Sequence, residues 1–275
     1  RGSSRGAPRW LRVTTWGLRG KPLSFRILAQ NVSARGCRHP CGKMNPVLFV
    51  LHHSPPNAFY VDVGANHPVR GSTTHRLDRM GWTGICAEPN PELAALYNGR
   101  RNCSLETRVV GDGNAARFVQ ERNNEVSGLA TPGAEHDGEA ATQGRVVETV
   151  RLEQALRERG APNAIAFLSV DVEGADGVVV SDSLLDAYTF QFVLIERPHS
   201  QTDERLFKHG YLFSQYFFYD SLFVHSSHPQ LGDVSNNKTY TRLPSRCRSP
   251  ATGKWLGRKR LPGPCKSVFG CCEPV

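Results

Sequence analysis

The chain contains 275 residues, of which 39% are hydrophobic and 9% aromatic, a composition that can bury a core and that excludes a disordered or fibrous protein. Its longest apolar runs are far shorter than the about eighteen residues that a membrane-spanning helix needs, so no transmembrane segment is predicted. The length fits one large domain or two small ones.

The charges divide the chain into three blocks, although the net formal charge is only +9. Residues 1–61 carry ten Lys and Arg and no acidic residue, residues 62–233 have a net charge of −9, and residues 234–275 have a net charge of +8. An acidic middle is therefore flanked by two basic arms. Contacts with RNA or an acidic protein are expected of these arms alone, because basic segments attract phosphates and acidic surfaces.

The N-terminal arm has the Arg, Ser and Thr content and the lack of acid that are typical of an organelle import peptide, so organelle import is one prediction. An incidental extension of the chain explains the same composition equally well. The first residue is Arg and the methionines are Met44 and Met80, so the natural start is expected to be missing or to lie at Met44.

The eight cysteines are distributed unevenly. Cys86 and Cys103 lie in the acidic block, where each is predicted to be an ordinary small residue on a buried strand or helix. The other six lie in the arms, at positions 37, 41, 247, 265, 271 and 272. Because they lack two short-spaced pairs, disulfides between the arms are favoured over a zinc site, free thiols are the remaining alternative, and no metal site is predicted.

Short apolar runs alternate with helical patterns in the first half of the acidic block. The predicted elements are a strand at residues 58–63, a helix at 72–80, a strand at 84–87, a helix at 91–96 and a strand at 107–110. Asn90 is the expected cap of the second helix, with Pro91 as its first residue. This alternation is typical of a right-handed parallel α/β sheet.

Residues 120–145 show no periodicity and are predicted to form a mobile loop over one end of the sheet. After it, the predicted elements are a strand at 146–150, a helix from 152, strands at 165–171 and 190–196, and a hairpin at 211–218 and 221–225. The two long apolar strands are expected at the centre of the sheet. The predicted fold is a doubly wound, mostly parallel sheet with an antiparallel strand pair at its end.

Nearly every predicted strand of this block ends in an acidic residue: Asp62, Glu88, Asp112, Asp171 with Glu173 close behind, and Glu196. Ligands of open parallel sheets bind beyond the carboxyl ends of the strands. A single acid there is as readily an ordinary polar residue at a strand end, but their repetition indicates a ligand site.

The loop after the first strand reads Asp62-Val-Gly-Ala-Asn-His67. Gly64 lets the backbone approach a ligand, and Asn66 tolerates left-handed backbone angles. Because Asn66 occupies the place of the second glycine of the dinucleotide fingerprint, NAD is disfavoured, and the segment is not a P-loop either. Glu88 ends the next strand, where a carboxylate accepts the ribose hydroxyls of an adenosine. Adenosine without a pyrophosphate suggests S-adenosylmethionine.

Four segments, in this order, resemble successive motifs of the FkbM-type methyltransferases: residues 61–67, 81–91, 147–152 and 167–176. Residues 210–211 and 220–224 resemble the closing strands of that family. The resemblance covers residues 59–224 and implies a class I methyltransferase (Rossmann-like) fold. It also implies S-adenosylmethionine as the methyl donor and a hydroxyl acceptor on a small molecule or glycan.

The resemblance assigns roles to seven residues: Asp62, Gly64 and Asn66 form the first cofactor loop, Glu88 binds the ribose, Asp112 lies on the adenine side, and Asp171 and Glu173 form the floor of the reaction pocket. The candidates for removing the acceptor proton are Asp171, Glu173 and His199, although an ordinary surface histidine is the favoured interpretation of His199. The sequence departs from the family pattern at Pro68, commonly Gly, and at Asp176, often Glu. The segment from Arg197 to His199 matches no motif.

Two hypotheses of function remain. The first is an active S-adenosylmethionine-dependent O-methyltransferase, which the retained carboxylates favour. The second is a degenerate methyltransferase-like domain that serves as a structural subunit of an RNA- or protein-containing assembly and is held by its basic arms. The predicted organisation is an N-terminal arm at residues 1–57, a methyltransferase domain at 58–228 and a Cys-rich C-terminal arm at 229–275.

Overall fold

The computed structural model describes residues 10–16, 22–28, 46–120, 127–130, 144–217 and 220–234. The chain divides into two compact units, residues 1–42 and 43–275. In the first unit, strands β1 (Trp10–Trp16) and β2 (Pro22–Leu28) pair antiparallel along their whole length. All other elements belong to the second unit.

The strands of the second unit are β3 (Phe59–Val63), β4 (Thr83–Ala87), β5 (Cys103–Glu106), β6 (Val109–Val110), β7 (Ala115–Gln120), β8 (Ser127–Leu129), β9 (Arg145–Val150), β10 (Ala164–Val170), β11 (Thr189–Glu196), β12 (Tyr211–Phe217) and β13 (Asp220–His225). Its helices are α1 (Pro46–His53), α2 (His75–Arg79), α3 (Pro91–Ala94), α4 (Leu152–Glu158), α5 (Asp176–Val179), α6 (Asp182–Ala187), α7 (Ser200–Lys208) and α8 (Leu231–Val234).

Seven of these strands form the main sheet, in the order β12-β13-β11-β10-β3-β4-β5. The five strands from β11 to β5 pair in parallel, whereas β13 is antiparallel to both β11 and β12. The prediction of a mostly parallel α/β sheet with an antiparallel pair at one end is confirmed. The cap of α3 is also confirmed, because Asn90 Oδ1 accepts a hydrogen bond from the backbone N–H of Glu92 at 3.0 Å.

Helices cover both faces of the main sheet. Successive side chains of a strand point to opposite faces, so Val193 and Ile195 of β11 join one buried cluster and Leu194 joins the other. Leu156 of α4 completes the first cluster, and Leu77 of α2 belongs to the second. Cover on both faces explains why the central strands are nearly continuous apolar runs.

Two helices lie in the ranges predicted to be arms. Val47 and Val50 of α1 and Val234 of α8 are buried in the second cluster, and Ser214 Oγ donates a hydrogen bond to the carbonyl of Val234. The core therefore uses residues on both sides of 58–228, whereas the division of the chain at those boundaries stays a prediction. None of the helices in the described part of the chain has the length and apolar character that a bilayer-crossing helix requires.

A second sheet, in the order β6-β9-β7-β8, occupies part of the range predicted to be a loop. β7 pairs antiparallel with β8 and β9, and β8 lies inside residues 120–145. The loop prediction is wrong for residues 127–129, because pairing with β7 stabilises a strand that has no apolar period of its own. Residues 121–126 and 131–143, and with them the predicted mobility, lie outside the described residues.

The third strand of the main sheet also differs from its prediction. It runs from Cys103 to Glu106, whereas Val109 and Val110 of the predicted strand at 107–110 form β6 in the second sheet. β5 is an edge strand and is only partly buried, so its sequence lacks the apolar run that marks a central strand.

Cys86 and Cys103 form a disulfide between the adjacent strands β4 and β5. The prediction that each is an ordinary buried residue is wrong. The parallel register of the two strands brings their Cα atoms to 5.7 Å, a separation that suits a disulfide. Sequence spacing alone does not show such a register.

Candidate functional site

A cavity lies beyond the carboxyl ends of β3, β4 and β10, and the second sheet forms its opposite wall. Its volume, including the mouth, is about 660 Å³. The location agrees with the rule for ligand sites in open parallel sheets.

The turn after β3 approaches β10 so closely that position 64 has no room for a side chain. Gly64 has a φ of +77°, and a Cβ atom there would lie 1.8 Å from the carbonyl oxygen of Asp171. The backbone N–H groups of Gly64 and Ala65 both donate to the carbonyl of Ala87, at 3.1 and 3.0 Å. Glycine satisfies both the angle and the close approach.

Glu88 joins this turn to the end of β4. Its carboxylate oxygens accept hydrogen bonds from the backbone N–H groups of Asn66 and Asn90, each at 2.8 Å. Asn66 has a left-handed φ of +50°, and its carbonyl accepts a hydrogen bond from Tyr97 Oη at 2.8 Å. Burial raises the pKa of the Glu88 carboxyl, and the two backbone donors partly offset that rise.

Carboxylates cluster at the ends of β10 and β11 and at the start of β13. Oxygen atoms of Asp171, Glu173 and Glu196 lie within 4.8 Å of one another, and Asp220 stands beside Glu196 in the sheet. Displacement of water by the surrounding protein, a hydrogen bond with Glu196 and the neighbouring negative charges raise the pKa of Asp171 well above its ordinary value. Three carboxylates at this spacing suit a divalent or an organic cation.

The second sheet supplies an apolar wall. Val109 and Val110 of β6, Phe118 of β7 and Leu129 of β8 line the cavity beside Ser127. Ser127 Oγ is buried and has no hydrogen-bond partner among the described residues. A buried hydroxyl without a protein partner, in the wall of a cavity, fits a polar atom of a bound ligand.

The cavity brings together five of the eight predicted site residues, namely Gly64, Asn66, Glu88, Asp171 and Glu173. Asp62 is buried behind it and does not line it. The Asp62 carboxylate accepts a hydrogen bond from Thr74 Oγ1 at 2.5 Å, and burial raises its pKa. Asp62 therefore supports the turn after β3 from the far face of the sheet.

The remaining two predicted residues also lie outside the lining. Asp112 is exposed, and its carboxylate accepts hydrogen bonds from the backbone and side chain of Asn114, both at 3.0 Å. These bonds lower the pKa of Asp112. His199 lies after β11, with Nδ1 2.6 Å from Oδ1 of Asp176.

Arg101 is a residue of the site region that sequence reasoning missed. Its buried guanidinium donates to Asp78 at 2.5 Å, to Thr74 Oγ1 at 2.6 Å, and to Ser72 Oγ and the carbonyl of Pro68 at 3.2 Å each. It thereby holds the segment that follows Asn66. No local pattern marks Arg101, because these partners lie 23 to 33 residues away in sequence.

The fold is that of a mixed α/β protein with a cavity at the carboxyl ends of its parallel strands. The sequence model of the methyltransferase FkbM domain matches residues 62–222, more than half of the chain. The chain therefore belongs to the FkbM methyltransferase family, as its motifs predict. A search among curated proteins finds no matching relative.

Proposed function

We propose that this protein is an S-adenosylmethionine-dependent methyltransferase of the class I (Rossmann-like) type that methylates a hydroxyl group of a small molecule or glycan. Membership of the FkbM family supports methyl transfer, and this family generally uses S-adenosylmethionine. The observation that carries the proposal is the cavity, whose lining includes Glu88, the turn after β3, Asp171 and Glu173.

Glu88 is the proposed ribose ligand. Each of its carboxylate oxygens accepts one backbone N–H and retains lone-pair capacity for a further donor, such as a ribose hydroxyl. The apolar wall with Phe118 and Leu129 suits the flat adenine ring, and Ser127 Oγ suits the polar edge of that ring. When bound, S-adenosylmethionine supplies a methyl group on a sulfonium cation.

The charge of the cavity supports a cationic ligand. Glu88, Asp171 and Glu173 line it, and no Lys, Arg or His is among the described residues that do so. A cavity of one charge sign attracts ligands of the opposite sign and disfavours ligands of its own. Asp171 and Glu173 are proposed to orient the cationic end of the donor and the acceptor hydroxyl, and the acceptor is proposed to carry no negative charge at its reacting end.

The ribose assignment predicts the effect of removing one carboxylate. Glu88→Ala deletes two charge-assisted hydrogen bonds to the ribose, so we expect S-adenosylmethionine to bind more weakly by roughly 2–3 kcal/mol in isothermal titration calorimetry. Asp112→Ala is the matched control, because Asp112 is an acid outside the lining, and its affinity should stay near that of the wild type.

Two further measurements make this result specific. Glu88→Gln keeps a carbonyl acceptor for a backbone N–H. Its thermal unfolding shows whether the turn is still folded, and so distinguishes loss of the ligand contact from loss of the turn's structure. Titration with S-adenosylhomocysteine, which lacks the positive charge, should give weaker binding to the wild type than S-adenosylmethionine does. Unchanged affinity in Glu88→Ala would remove Glu88 from the site, and a wild type that binds neither compound would favour the structural-subunit hypothesis.

A further inference from the structure

The Cys86–Cys103 disulfide joins two segments that hold the turn after β3. Cys86 of β4 precedes Glu88 by two residues, and Cys103 of β5 follows Arg101 by two. Glu88 accepts a backbone N–H of this turn, and Arg101 donates to one of its carbonyls. The disulfide therefore links two anchors of a turn whose first residues line the cavity.

The sulfur of Cys86 also packs against a buried polar network. Cys86 and Tyr60 are each 0% exposed, and Cys86 Sγ lies 3.8 Å from Tyr60 Oη. Tyr60 Oη in turn donates a hydrogen bond to Asp78 and accepts one from Arg101 Nη2 at 3.0 Å. The disulfide therefore contacts the same hydroxyl that helps to orient the Arg101 guanidinium.

Reduction of the disulfide changes the space that its sulfur atoms require. Two thiol sulfurs repel each other at the distance of a covalent bond, so the side chains of Cys86 and Cys103 have to move apart once the bond is broken. Protein interiors are close-packed, and a shift of a buried side chain displaces its neighbours. We expect Tyr60 and Arg101 to shift with Cys86, and the turn after β3 to lose part of its support.

The disulfide lies at an edge of the main sheet. β5 is the last strand in the sheet order of the described residues, and Cys103 at its start is partly exposed, whereas Cys86 is fully buried. Because thiol–disulfide exchange depends on access to the sulfur, attack on Cys103 is favoured over attack on Cys86.

Other contacts retain β5 when the disulfide is open. The backbone of β5 pairs with β4 along its whole length, from Cys103 to Glu106. The buried carboxylate of Glu106 also forms ion pairs with Arg108 at 2.7 Å and with Arg159 at 3.0 Å. Reduction is therefore expected to loosen this edge of the sheet without unfolding the protein.

We propose that the Cys86–Cys103 disulfide is a redox switch of the cofactor site. The oxidised form holds the turn after β3 in the arrangement that binds S-adenosylmethionine, and reduction by a dithiol loosens the turn and lowers the affinity. This inference rests on the proposed function and adds to it a dependence on the redox state of the surroundings.

The exchange with the dithiol takes two steps. A thiolate of the reductant attacks Sγ of Cys103 and forms a mixed disulfide, while the electron pair of the broken bond stays on Sγ of Cys86, which takes up a proton. The second thiol of the reductant loses its proton and attacks the reductant sulfur of the mixed disulfide, and Cys103 leaves as a thiolate that takes up a proton. The protein gains two electrons and two protons, and the dithiol is oxidised to a disulfide.

The test measures the S-adenosylmethionine affinity of the full chain by calorimetry after incubation with oxidised or with reduced dithiothreitol. Mass spectrometry of alkylated peptides reports whether Cys86 and Cys103 are bonded or free. We expect the reduced protein to bind about tenfold more weakly, the scale of one net hydrogen bond lost from a preorganised turn. Reoxidation should restore the affinity.

Cys86→Ala/Cys103→Ala is the matched control. This double variant cannot form the disulfide but keeps the six cysteines of the arms, so any effect of the reductant on the arms remains in it. Its affinity should equal that of the reduced wild type and should not respond to dithiothreitol. If it does not fold, Cys103→Ala takes its place, because this variant keeps Cys86 in the core.

A second readout needs no ligand. The backbone N–H groups of Gly64 and Ala65 donate to the carbonyl of Ala87, and that of Asn66 donates to Glu88. We expect reduction to speed the hydrogen exchange of these three amides by about tenfold. The amides of β11, which is separated from β5 by three strands, should exchange at an unchanged rate.

The outcomes separate this inference from the proposed function. A wild type that binds S-adenosylmethionine equally well in both redox states overturns the inference alone, as does a disulfide that dithiothreitol leaves intact in the folded protein. Unfolding of the whole protein on reduction, followed by circular dichroism, also overturns it, because the disulfide would then be a structural crosslink. If no form of the wild type binds S-adenosylmethionine, the proposed function fails, and faster exchange of the turn amides would still support redox control of the turn.

Discussion

Asp220 shows, at the scale of a single residue, how the carboxylates clustered at the ends of β10 and β11 oppose the stability of the fold. Burial and the neighbouring charge of Glu196 raise the pKa of Asp220 to about 7, and Arg197 offsets only part of that rise. Asp171 is shifted in the same direction for the same reasons. Groups of like charge brought together in this way are typical of functional sites, because a core built for stability alone would not gather them.

This shift predicts that stability falls with rising pH. An unfolded Asp loses its proton near pH 3.9, whereas folded Asp220 keeps it until about pH 7, so its contribution to the free energy of unfolding falls between about pH 4 and pH 7. Asp220→Asn stays neutral throughout and should be more stable than the wild type at pH 8 by on the order of 2 kcal/mol, with little difference at pH 4. Urea denaturation at both pH values measures this.

Asp182→Asn is the control, because the pKa of Asp182 is shifted in the direction opposite to that of Asp220. Hydrogen bonds with His209 and Lys208 lower the pKa of the exposed Asp182 to about 2, so its charged form is stabilising and its removal should not stabilise the protein at pH 8. Equal pH slopes for Asp220→Asn and the wild type would show that Asp220 titrates normally in the folded protein.

At the scale of elements, the turn between β3 and α2 is rigid because it is held from several sides. Tyr97 Oη binds the carbonyl of Asn66, and Arg101 binds the carbonyl of Pro68 and the side chain of Thr74. Pro68, a departure from the family pattern, lacks an N–H, but the structure uses its carbonyl. A turn fixed in advance loses less entropy when a ligand binds.

Two glycines of this turn allow the effect of left-handed backbone strain to be distinguished from the effect of a steric clash. Gly64 and Gly71 both have positive φ, +77° and +70°, but a Cβ at Gly64 would clash with the backbone of Asp171, whereas nothing lies within 4 Å of one at Gly71. Gly71→Ala should therefore lower the free energy of unfolding only by the strain of a left-handed alanine, about 1–2 kcal/mol. Gly64→Ala should lower the free energy of unfolding by at least about 3 kcal/mol and should weaken S-adenosylmethionine binding. Chemical denaturation measures the stability of both variants, and calorimetry measures their affinity. Equal losses of stability in the two variants would contradict the predicted clash at Gly64.

The elements also show which features could be predicted from sequence. β10 and β11 were predictable because central parallel strands are buried on both faces and leave long apolar runs. Gly64 and Glu88 were predictable as cavity residues because parallel strands end at one edge of a sheet. β8, the disulfide partner of Cys86 and the partners of Arg101 were not, because each depends on a pairing between segments distant in sequence.

At the scale of the whole molecule, the cavity and the two buried clusters on either face of the main sheet lie within residues 46–234. The Cys86–Cys103 disulfide is also inside this range. It joins the strand that ends before Glu88 to the strand that begins after Arg101, and so links the segments that carry the proposed ribose ligand and the residue that holds the turn. Crosslinking two such segments restricts the unfolded chain and stabilises the folded one.

We therefore expect a fragment of residues 43–234 to fold and to bind S-adenosylmethionine with the affinity of the full chain. A second fragment, residues 58–228, follows the domain boundaries predicted from sequence but lacks α1 and α8, which bury Val47, Val50 and Val234. Removal of these side chains exposes apolar surface of the core, at a cost of about 1.5–3 kcal/mol for each one fully buried, so this fragment should unfold at a lower temperature. Thermal unfolding and calorimetry of both fragments beside the full chain measure these differences. Equal stability of the two fragments would support the boundaries at 58 and 228, and failure of the longer fragment to fold would show that the basic arms contribute to the core.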